Sequence, residues 1–232
     1  MMNSLATLIV RITMFKLVVF DLDGTLCDTL SDLGNAVNFA LESEGLPTHP
    51  LSAYNKFVGN GINNLIKQVL LSKGDDKELC DKVKAKFDEY YPCHLCDSTI
   101  AYDGIAQLLS KLKALGIKTA VHSNKPHTYV PEILKTLFPE HSFDLAWGKK
   151  DCFERKPSPQ ALLEIINRIG VEKSEVLYVG DSDVDVFTAH NAKVKVCGVE
   201  WGFRGKEELL SVGADYIAKD AKELLNIIKG IV

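Results

Sequence analysis

Short runs of β-branched and other apolar residues alternate along this chain with stretches that carry apolar residues at helical spacing. The apolar runs cover residues 16–20, 117–122, 143–147, 176–179 and 195–199. The helical stretches between them include residues 104–115, 126–137 and 159–169. Continuous apolar strands that alternate with helices are typical of a parallel sheet with helices on both faces. We therefore predict an α/β fold whose ligand site lies at the carboxyl ends of the strands.

One block interrupts this alternation. Residues 29–97 contain no convincing strand, and their apolar spacing predicts helices over 31–44, 51–57, 62–71 and 76–90. Ser31 or Asp32 is expected to cap the first of these helices. Because the block follows the first strand directly, we predict that residues 29–97 form an inserted helical domain above the strand ends. The core domain would then comprise residues 1–28 and 98–232.

Composition argues against several classes of protein. Hydrophobic residues make up 46% of the 232 residues, which is enough for a sizeable core and is unlike a disordered chain. A formal net charge of −4 argues against a protein built to bind nucleic acid or an anionic membrane. No apolar run reaches the ~18–20 residues of a membrane span, and the first residues lack the features of a signal peptide. We expect neither nucleic acid nor a membrane as a partner.

Six cysteines in a chain of this length do not indicate a disulfide scaffold, so reduced thiols in the cytoplasm are expected. Cys93 and Cys96 are close in sequence, but no second pair of ligands stands at a zinc spacing, and no role is assigned to them. Residues 1–13 are expected to be a disordered or wrongly assigned extension, because Met14 directly precedes the first strand and could itself start the chain. The sequence leaves monomer and homodimer open.

The run VVFDLDGTL at 18–26 places two carboxylates directly after a predicted buried strand. A turn at Gly24 could bring Asp21 and Asp23 toward one point at the strand end. Two carboxylates that close repel each other unless a cation or a shared proton relieves them. An acidic turn that only ends the strand would give the same run, so both interpretations stay open at this point.

A second acidic run, YVGDSDVD at 178–185, also follows a β-branched strand. Asp181 and Asp185 are four residues apart and share one face if a helix begins there. Carboxylate oxygens are ligands that suit Mg²⁺, so the run is compatible with a metal site. A solvated, capped helix start is the alternative, because aspartate is favoured in the first helical turn.

Two further polar groups lie near other strand ends. Ser123 and Asn124 could donate to phosphate oxygens, together with backbone N–H groups of a helix that Pro126 would begin. Lys156 precedes Pro157 in a predicted loop and could reach an anion as a point charge. Taken alone, each group is equally compatible with a plain helix cap or a connecting loop.

These signals occur together and in a fixed order. With DxDGT at 21–25, Ser-Asn at 123–124, Lys-Pro at 156–157 and GDSxxD at 180–185, the chain from Met14 onward resembles the haloacid-dehalogenase-like hydrolase superfamily. The resemblance implies a Rossmann-like core with a small helical cap domain at residues 29–97. It also implies a Mg²⁺-dependent phosphomonoester hydrolase that works through an aspartyl-phosphate and acts on a small phosphorylated substrate.

The resemblance further implies catalytic and metal-binding roles for four aspartates. Asp21 would be the nucleophile, and Asp23 would act as general acid and then as general base. Mg²⁺ would be held by Asp21, the backbone carbonyl of Asp23 and Asp181, with Asp185 turned toward it.

The same resemblance implies which residues hold the transferring phosphoryl group. Ser123 and Lys156 would bind its oxygens directly, and Thr25 and Asn124 would support them. The positive charge of Lys156 would also keep the Asp21 carboxylate ionised at neutral pH.

Within the superfamily the chain is similar to phosphoglycolate phosphatases, which implies hydrolysis of 2-phosphoglycolate to glycolate and phosphate. Gly59 and Asn60 lie in a Val-Gly-Asn-Gly stretch of the predicted cap, and we expect them to approach the substrate. A pyrophosphatase, a 5′-nucleotidase or a sugar phosphomutase of the same superfamily is the alternative. A binding module without catalysis is a further alternative, although Asp21 and Asp23 are both present.

The chain departs from the family pattern at a few positions. The family's usual Thr-Asn-Lys reads Ser-Asn-Lys here, and a glycine expected near Lys193 is missing.

Overall fold

The computed structural model describes residues 15–231, so the prediction for residues 1–13 lies outside the described part of the chain. Its strands are β1 (Leu17–Phe20), β2 (Cys27–Asp28), β3 (Ile100–Ala101), β4 (Lys118–Pro126), β5 (Leu145–Lys149), β6 (Val176–Gly180), β7 (Lys195–Val199) and β8 (Tyr216–Ala218). Six of these strands form one parallel sheet in the order β5–β4–β1–β6–β7–β8. The predicted parallel sheet is confirmed.

The described residues also form ten α-helices. Their bounds are α1 (Leu30–Ser43), α2 (Tyr54–Phe57), α3 (Ile62–Val69), α4 (Lys77–Tyr90), α5 (Ile105–Ala114), α6 (Val130–Leu137), α7 (Gln160–Ile169), α8 (Asp183–Ala192), α9 (Lys206–Ser211) and α10 (Ala221–Ile228). No helix within residues 15–231 is both long enough and apolar enough to span a membrane.

The central strand β1 explains why the sheet needs helices on both sides. Its side chains are fully buried and alternate between two clusters. Val18 and Phe20 belong to the larger cluster, which also contains residues of α5 and α10. Leu17 and Val19 belong to the second cluster, with residues of α7 and α8. An uninterrupted apolar strand is thus buried on both faces, as parallel sheets require.

The five predicted strands are all present, but the sequence did not indicate three short ones. β8 adds a sixth strand at the sheet edge, and β2 and β3 pair as a separate antiparallel ribbon. The prediction that a helix begins at Pro126 is wrong. Strand β4 continues to that residue because Pro126 pairs with Lys149 of β5 after an irregularity in register, and α6 begins at Val130.

Helices α1 to α4 occupy the block that was predicted to be helical. Neither Ser31 nor Asp32 caps α1, since the residue before the helix is Thr29 and makes no side-chain cap. Asp32 instead accepts hydrogen bonds from the backbone N–H groups of Ser98 and Thr99 and from the Thr99 hydroxyl. This buried carboxylate joins the two chain segments at which the block leaves and rejoins the sheet. The division into domains at residues 29–97 stays a prediction.

Candidate active site

Asp21 follows β1 in the middle of the sheet. Its backbone N–H donates to the carbonyl of Val179 on β6, at 2.8 Å, which continues the strand pairing by one residue. The chain then turns sharply at Gly24, whose φ is +85°. A Cβ at this position would overlap the Asp181 carboxylate, so the turn requires glycine both for its backbone angle and for the close approach.

Asp181 follows β6 and is held on both of its carboxylate oxygens. Thr25 Oγ1 donates to Oδ1 at 3.0 Å, and the backbone N–H of Phe203 donates to Oδ2 at 2.9 Å. Gly202 packs so closely on Asp181 that a Cβ there would overlap its side chain. The Thr25 hydroxyl, predicted to support the phosphoryl group, is therefore placed to orient Asp181.

Asp185 lies in the first turn of α8 and is completely buried. Its Oδ2 accepts hydrogen bonds from the Ser182 backbone N–H at 3.1 Å and from the Ser182 hydroxyl at 2.6 Å. Its Oδ1 lies 2.7 Å from Lys156 Nζ. Asp181 and Asp185 do not share a helix face, because Asp181 precedes the helix that begins at Asp183, but one carboxylate oxygen of each lies within 4.8 Å of the other.

Lys156 is a buried ammonium between two carboxylates. Its Nζ lies 2.7 Å from Asp185 Oδ1 and 2.8 Å from Asp21 Oδ1. The approach to Asp21 is close enough for an ion pair but not aligned as a hydrogen bond, so Asp21 Oδ1 has no hydrogen-bond partner among the described residues. Burial alone would lower the pKa of Lys156. The carboxylates of Asp185 and Asp21 raise it by more than burial lowers it, so the net pKa is well above its ordinary value.

The carboxylates of Asp21, Asp181 and Asp185 together carry more negative charge than the ammonium of Lys156 offsets. Burial raises the pKa of Asp21 to about 7, with Asp185 adding to the effect and Lys156 opposing it. Burial and the neighbouring Asp185 also raise the pKa of Asp181 well above its usual range. Lys156 lowers the pKa of Asp21, which is the direction expected from its charge, but burial raises this pKa by more than the lysine lowers it.

The carboxylates of Asp21, Asp181 and Asp185 fit a divalent cation. One oxygen from each lies within 4.8 Å of the others, and all three side chains are buried. Hard cations such as Mg²⁺ take oxygen ligands of this kind. The pKa values of Asp21 and Asp181 are raised even though Lys156 Nζ lies 2.8 Å from Asp21 Oδ1, and a further positive charge at the cluster would lower them. The donor set thus fits the metal that the sequence predicted.

Ser123 and Asn124 lie on the final part of β4, next to β1, and both are buried. Asn124 Oδ1 accepts from the Lys156 backbone N–H at 2.8 Å, and its Nδ2 donates to the Gly59 carbonyl at 3.2 Å. Asn124 therefore joins the loop that carries Lys156 to the loop that precedes α3. Ser123 Oγ accepts from the Lys125 backbone N–H. Ser123 also lines a cavity that Asp21 and Asp23 line as well, hereafter called the cavity.

Asp23 is not part of the cluster of three carboxylates. Its Oδ1 accepts from the Thr29 hydroxyl at 2.7 Å and from Lys125 Nζ at 2.9 Å. Lys125 is itself buried, so this ion pair is screened little by solvent. Sequence reasoning included Lys125 in the Ser-Asn-Lys run but gave it no role, because nothing in the sequence shows that its side chain returns to the Asp-rich loop.

The loop between α2 and α3 covers the cavity. Gly59 and Gly61 line it together with Asp21, Asp23 and Ser123. Asn60 is not among the residues that line it, and its backbone carbonyl accepts a hydrogen bond from Arg155 at 2.9 Å, so its approach to the substrate stays a prediction. The glycines on either side have φ of +123° and +77°, and both line the cavity.

A second arginine holds the same loop. Arg204 donates to the backbone carbonyls of Lys56 and Val58, at 3.3 and 3.0 Å. Trp201, three residues earlier, donates from its ring N–H to the carbonyl of Thr25 at 3.0 Å. The segment after β7 therefore contacts the Asp-rich turn and the covering loop at once, which sequence reasoning did not predict.

Comparisons with known proteins agree with this geometry. The family model described as haloacid dehalogenase-like hydrolase matches residues 18–199. A phosphoglycolate phosphatase of Haemophilus influenzae strain 86-028NP is 34% identical over 222 residues, which is 93% of this chain and 99% of that protein. One from Mannheimia succiniciproducens is 33% identical over 92% of this chain and 98% of its own length. The crystal structure of a predicted phosphoglycolate phosphatase from Haemophilus somnus is 31% identical, with a TM-score of 0.84 over 92% of this chain and 97% of that one.

Proposed function

The chain belongs to the haloacid dehalogenase-like hydrolases and is a phosphatase, and from this we propose that it hydrolyses 2-phosphoglycolate to glycolate and phosphate. The observation that carries the chemistry is the pair of differently held carboxylates at the end of β1. Asp21 lies beside two further buried acids and pairs with Lys156, while Asp23 is outside that group and pairs with Lys125. The substrate is supported by relatives named phosphoglycolate phosphatase that match nearly the whole chain.

The proposed metal ligands are Asp21, Asp181 and the backbone carbonyl of Asp23, with Asp185 behind them. Mg²⁺ bound there would offset the charge that builds up when an anionic nucleophile meets a phosphate. Thr25 and the Phe203 N–H fix both oxygens of Asp181, so this ligand is oriented before the metal arrives. Asp185 contributes through Lys156, which it holds beside Asp21.

The first step is attack by an Asp21 oxygen on phosphorus. An O–P bond forms to Asp21 while the bond from phosphorus to the glycolate oxygen breaks, and Asp23 gives its proton to the leaving oxygen. In the second step Asp23 accepts a proton from water as that water attacks the aspartyl-phosphate. Phosphate leaves and both carboxylates return to their starting states.

Other side chains hold the transferring group. Ser123 offers its hydroxyl, and Lys156 offers an ammonium that is already desolvated and therefore acts strongly on an anion. Asn124 positions the Lys156 backbone rather than the phosphate, as its hydrogen bond to that residue indicates. Gly59 presents backbone at the cavity, and we propose that residues 29–97 act as the cap that encloses the substrate over a core of 1–28 and 98–232.

The cysteines within residues 15–231 are all free thiols. We propose on this basis that the enzyme works in the reducing cytoplasm.

Phosphate release from a substrate panel tests the proposal. The panel contains 2-phosphoglycolate, pyrophosphate, nucleoside 5′-monophosphates and hexose phosphates, each with Mg²⁺ and with EDTA. We expect Mg²⁺-dependent turnover with 2-phosphoglycolate preferred. Preference for pyrophosphate or a nucleotide would refute the substrate but keep Asp21 and Asp23 in their roles. Absence of metal-dependent turnover on the entire panel would refute the hydrolase mechanism and favour a mutase or a binding protein.

A further inference from the structure

Apart from the reacting carboxylates, most of the side chains that line the cavity are uncharged. Its lining includes the apolar residues Leu33, Val58, Ile62 and Leu65. Among the described residues that line it, Lys125 alone carries a positive charge. A leaving group bound in this cavity therefore meets an apolar surface with one cationic point.

Tyr91 lies next to that cationic point. The ammonium of Lys125 stands over the Tyr91 ring at 5.0 Å from its centroid. Tyr91 is buried and lines the cavity, and its hydroxyl has no hydrogen-bond partner among the described residues. Leaving a buried hydroxyl without a partner is unfavourable, and a ligand that supplies an acceptor would remove that cost.

The position of these two groups relative to Asp23 defines what they can contact. Lys125 Nζ lies 2.9 Å from Asp23 Oδ1, and Asp23 faces the oxygen of the leaving group in the proposed mechanism. In a phosphorylated α-hydroxy acid the carboxylate carbon is two bonds from that oxygen. A carboxylate at this position is the acceptor that an ammonium and a hydroxyl together would bind.

We propose that Tyr91 and Lys125 form a carboxylate subsite that selects phosphomonoesters of small α-hydroxy acids. The proposal rests on the proposed function and names the residues that set its substrate class. The Tyr91 hydroxyl donates to no other residue in the described part of the chain, and burial raises its pKa against the opposing effect of Lys125, so it stays protonated. Lys125 exchanges part of its contact with Asp23 for the substrate carboxylate and leaves Asp23 facing the ester oxygen.

A pair of matched substrates isolates the subsite. 2-Phosphoglycolate and 2-hydroxyethyl phosphate share the phosphate and the two-carbon leaving group and differ in whether that group ends in a carboxylate. The selectivity is the ratio of their kcat/KM values, which cancels any general loss of activity. It is measured for the wild type and for Tyr91→Phe and Lys125→Met, with Tyr90→Phe as the matched control, since Tyr90 lies outside the cavity lining.

We expect the wild type to prefer 2-phosphoglycolate, Tyr91→Phe to lower the ratio roughly tenfold, and Lys125→Met to lower it roughly 10–100-fold. Tyr90→Phe should leave the ratio unchanged. A wild type that prefers 2-phosphoglycolate, with Tyr91→Phe at the same ratio, overturns the subsite and leaves the proposed function intact. A wild type without preference overturns both. Tyr91→Phe keeps the ring, so this arm is readable even when Lys125→Met does not fold.

Discussion

Asp32 and Thr99 are 67 residues apart in sequence, yet the Asp32 carboxylate accepts hydrogen bonds from both the backbone N–H and the hydroxyl of Thr99, at 2.8 and 2.7 Å. The Ser98 N–H donates to the same carboxylate at 2.9 Å. Both Asp32 and Thr99 are buried, so the two Thr99 donors are left without a partner when the carboxylate is lost. The contact fixes the start of the helical block to its end.

Asp32→Ala should therefore destabilise the protein without touching the reacting groups. Leaving buried donors unpaired costs about 1–3 kcal/mol for each group, and partial relaxation reduces the sum, so we expect a loss of about 2–4 kcal/mol. Urea unfolding measures it. The control is Ser31→Ala, one residue away and partly exposed, which should change stability by less than about 0.5 kcal/mol. Equal midpoints for the two variants would contradict the structural role of Asp32.

Asp21→Asn should abolish turnover and preserve the fold. An amide is a poor nucleophile toward phosphorus, so we expect kcat to fall roughly 10⁴-fold or more. Asp23→Asn should also be severe because it cannot donate and accept the proton in turn. Phosphate release on 2-phosphoglycolate measures both, with circular dichroism as the check on folding. Substantial residual activity in Asp21→Asn would exclude the covalent mechanism.

Sequence reasoning located the groups that follow strand ends directly. Asp21, Asp23 and Asp181 lie where a parallel sheet brings the carboxyl ends of β1 and β6 together, and adjacency in the sheet is predictable from the strand pattern. Lys156 lies on a loop, so the strand pattern does not place it in the site. Only the family pattern predicted its position there.

The contacts that the sequence did not reveal join residues that no local pattern relates. Arg204 reaches Val58 across 146 positions, and Trp201 reaches Thr25 across 176. Tyr91 has the apolar character of a core residue, and only the missing hydrogen-bond partner distinguishes it. The prediction of a helix start at Pro126 was wrong for a related reason. Pairing with β5 extends β4 beyond what the local sequence preference indicates.

The two arginines that hold the covering loop should affect substrate binding more than chemistry. Arg155 and Arg204 donate to backbone carbonyls of Asn60 and Val58, so removing them loosens a loop whose glycine lines the cavity. We expect Arg155→Met combined with Arg204→Met to raise KM roughly three- to tenfold and to change kcat less than twofold. Steady-state kinetics on 2-phosphoglycolate measures this.

Arg168→Met is the matched control, because Arg168 pairs with Glu164 on α7 and does not contact the loop. Its KM should equal that of the wild type. An unchanged KM in the double variant, or a loss confined to kcat, would show that the arginines do not hold the loop in place for binding.

The electrostatics of Asp21 make a prediction about stability without metal. In EDTA the native state holds the Asp21 proton up to a pH of about 7, whereas the unfolded chain releases it near its ordinary pKa of 3.8. Between these values the native state binds more protons, so its stability falls as pH rises. Asp21→Asn has no such proton, and its melting temperature should exceed that of the wild type by a margin that grows from pH 4 to 7 and then stays constant.

At roughly 2–4 °C per kcal/mol for a chain of this size, we expect a margin of several degrees above pH 7. Mg²⁺ should raise the melting temperature of the wild type more than that of Asp21→Asn, because it relieves the repulsion that the substitution has already reduced. Asp183→Asn is the control, since Asp183 is outside the cluster of three acids, and it should follow the wild type at every pH. A margin that shrinks with rising pH would reverse the sign and show that Asp21 is stabilised as a carboxylate by Lys156 alone.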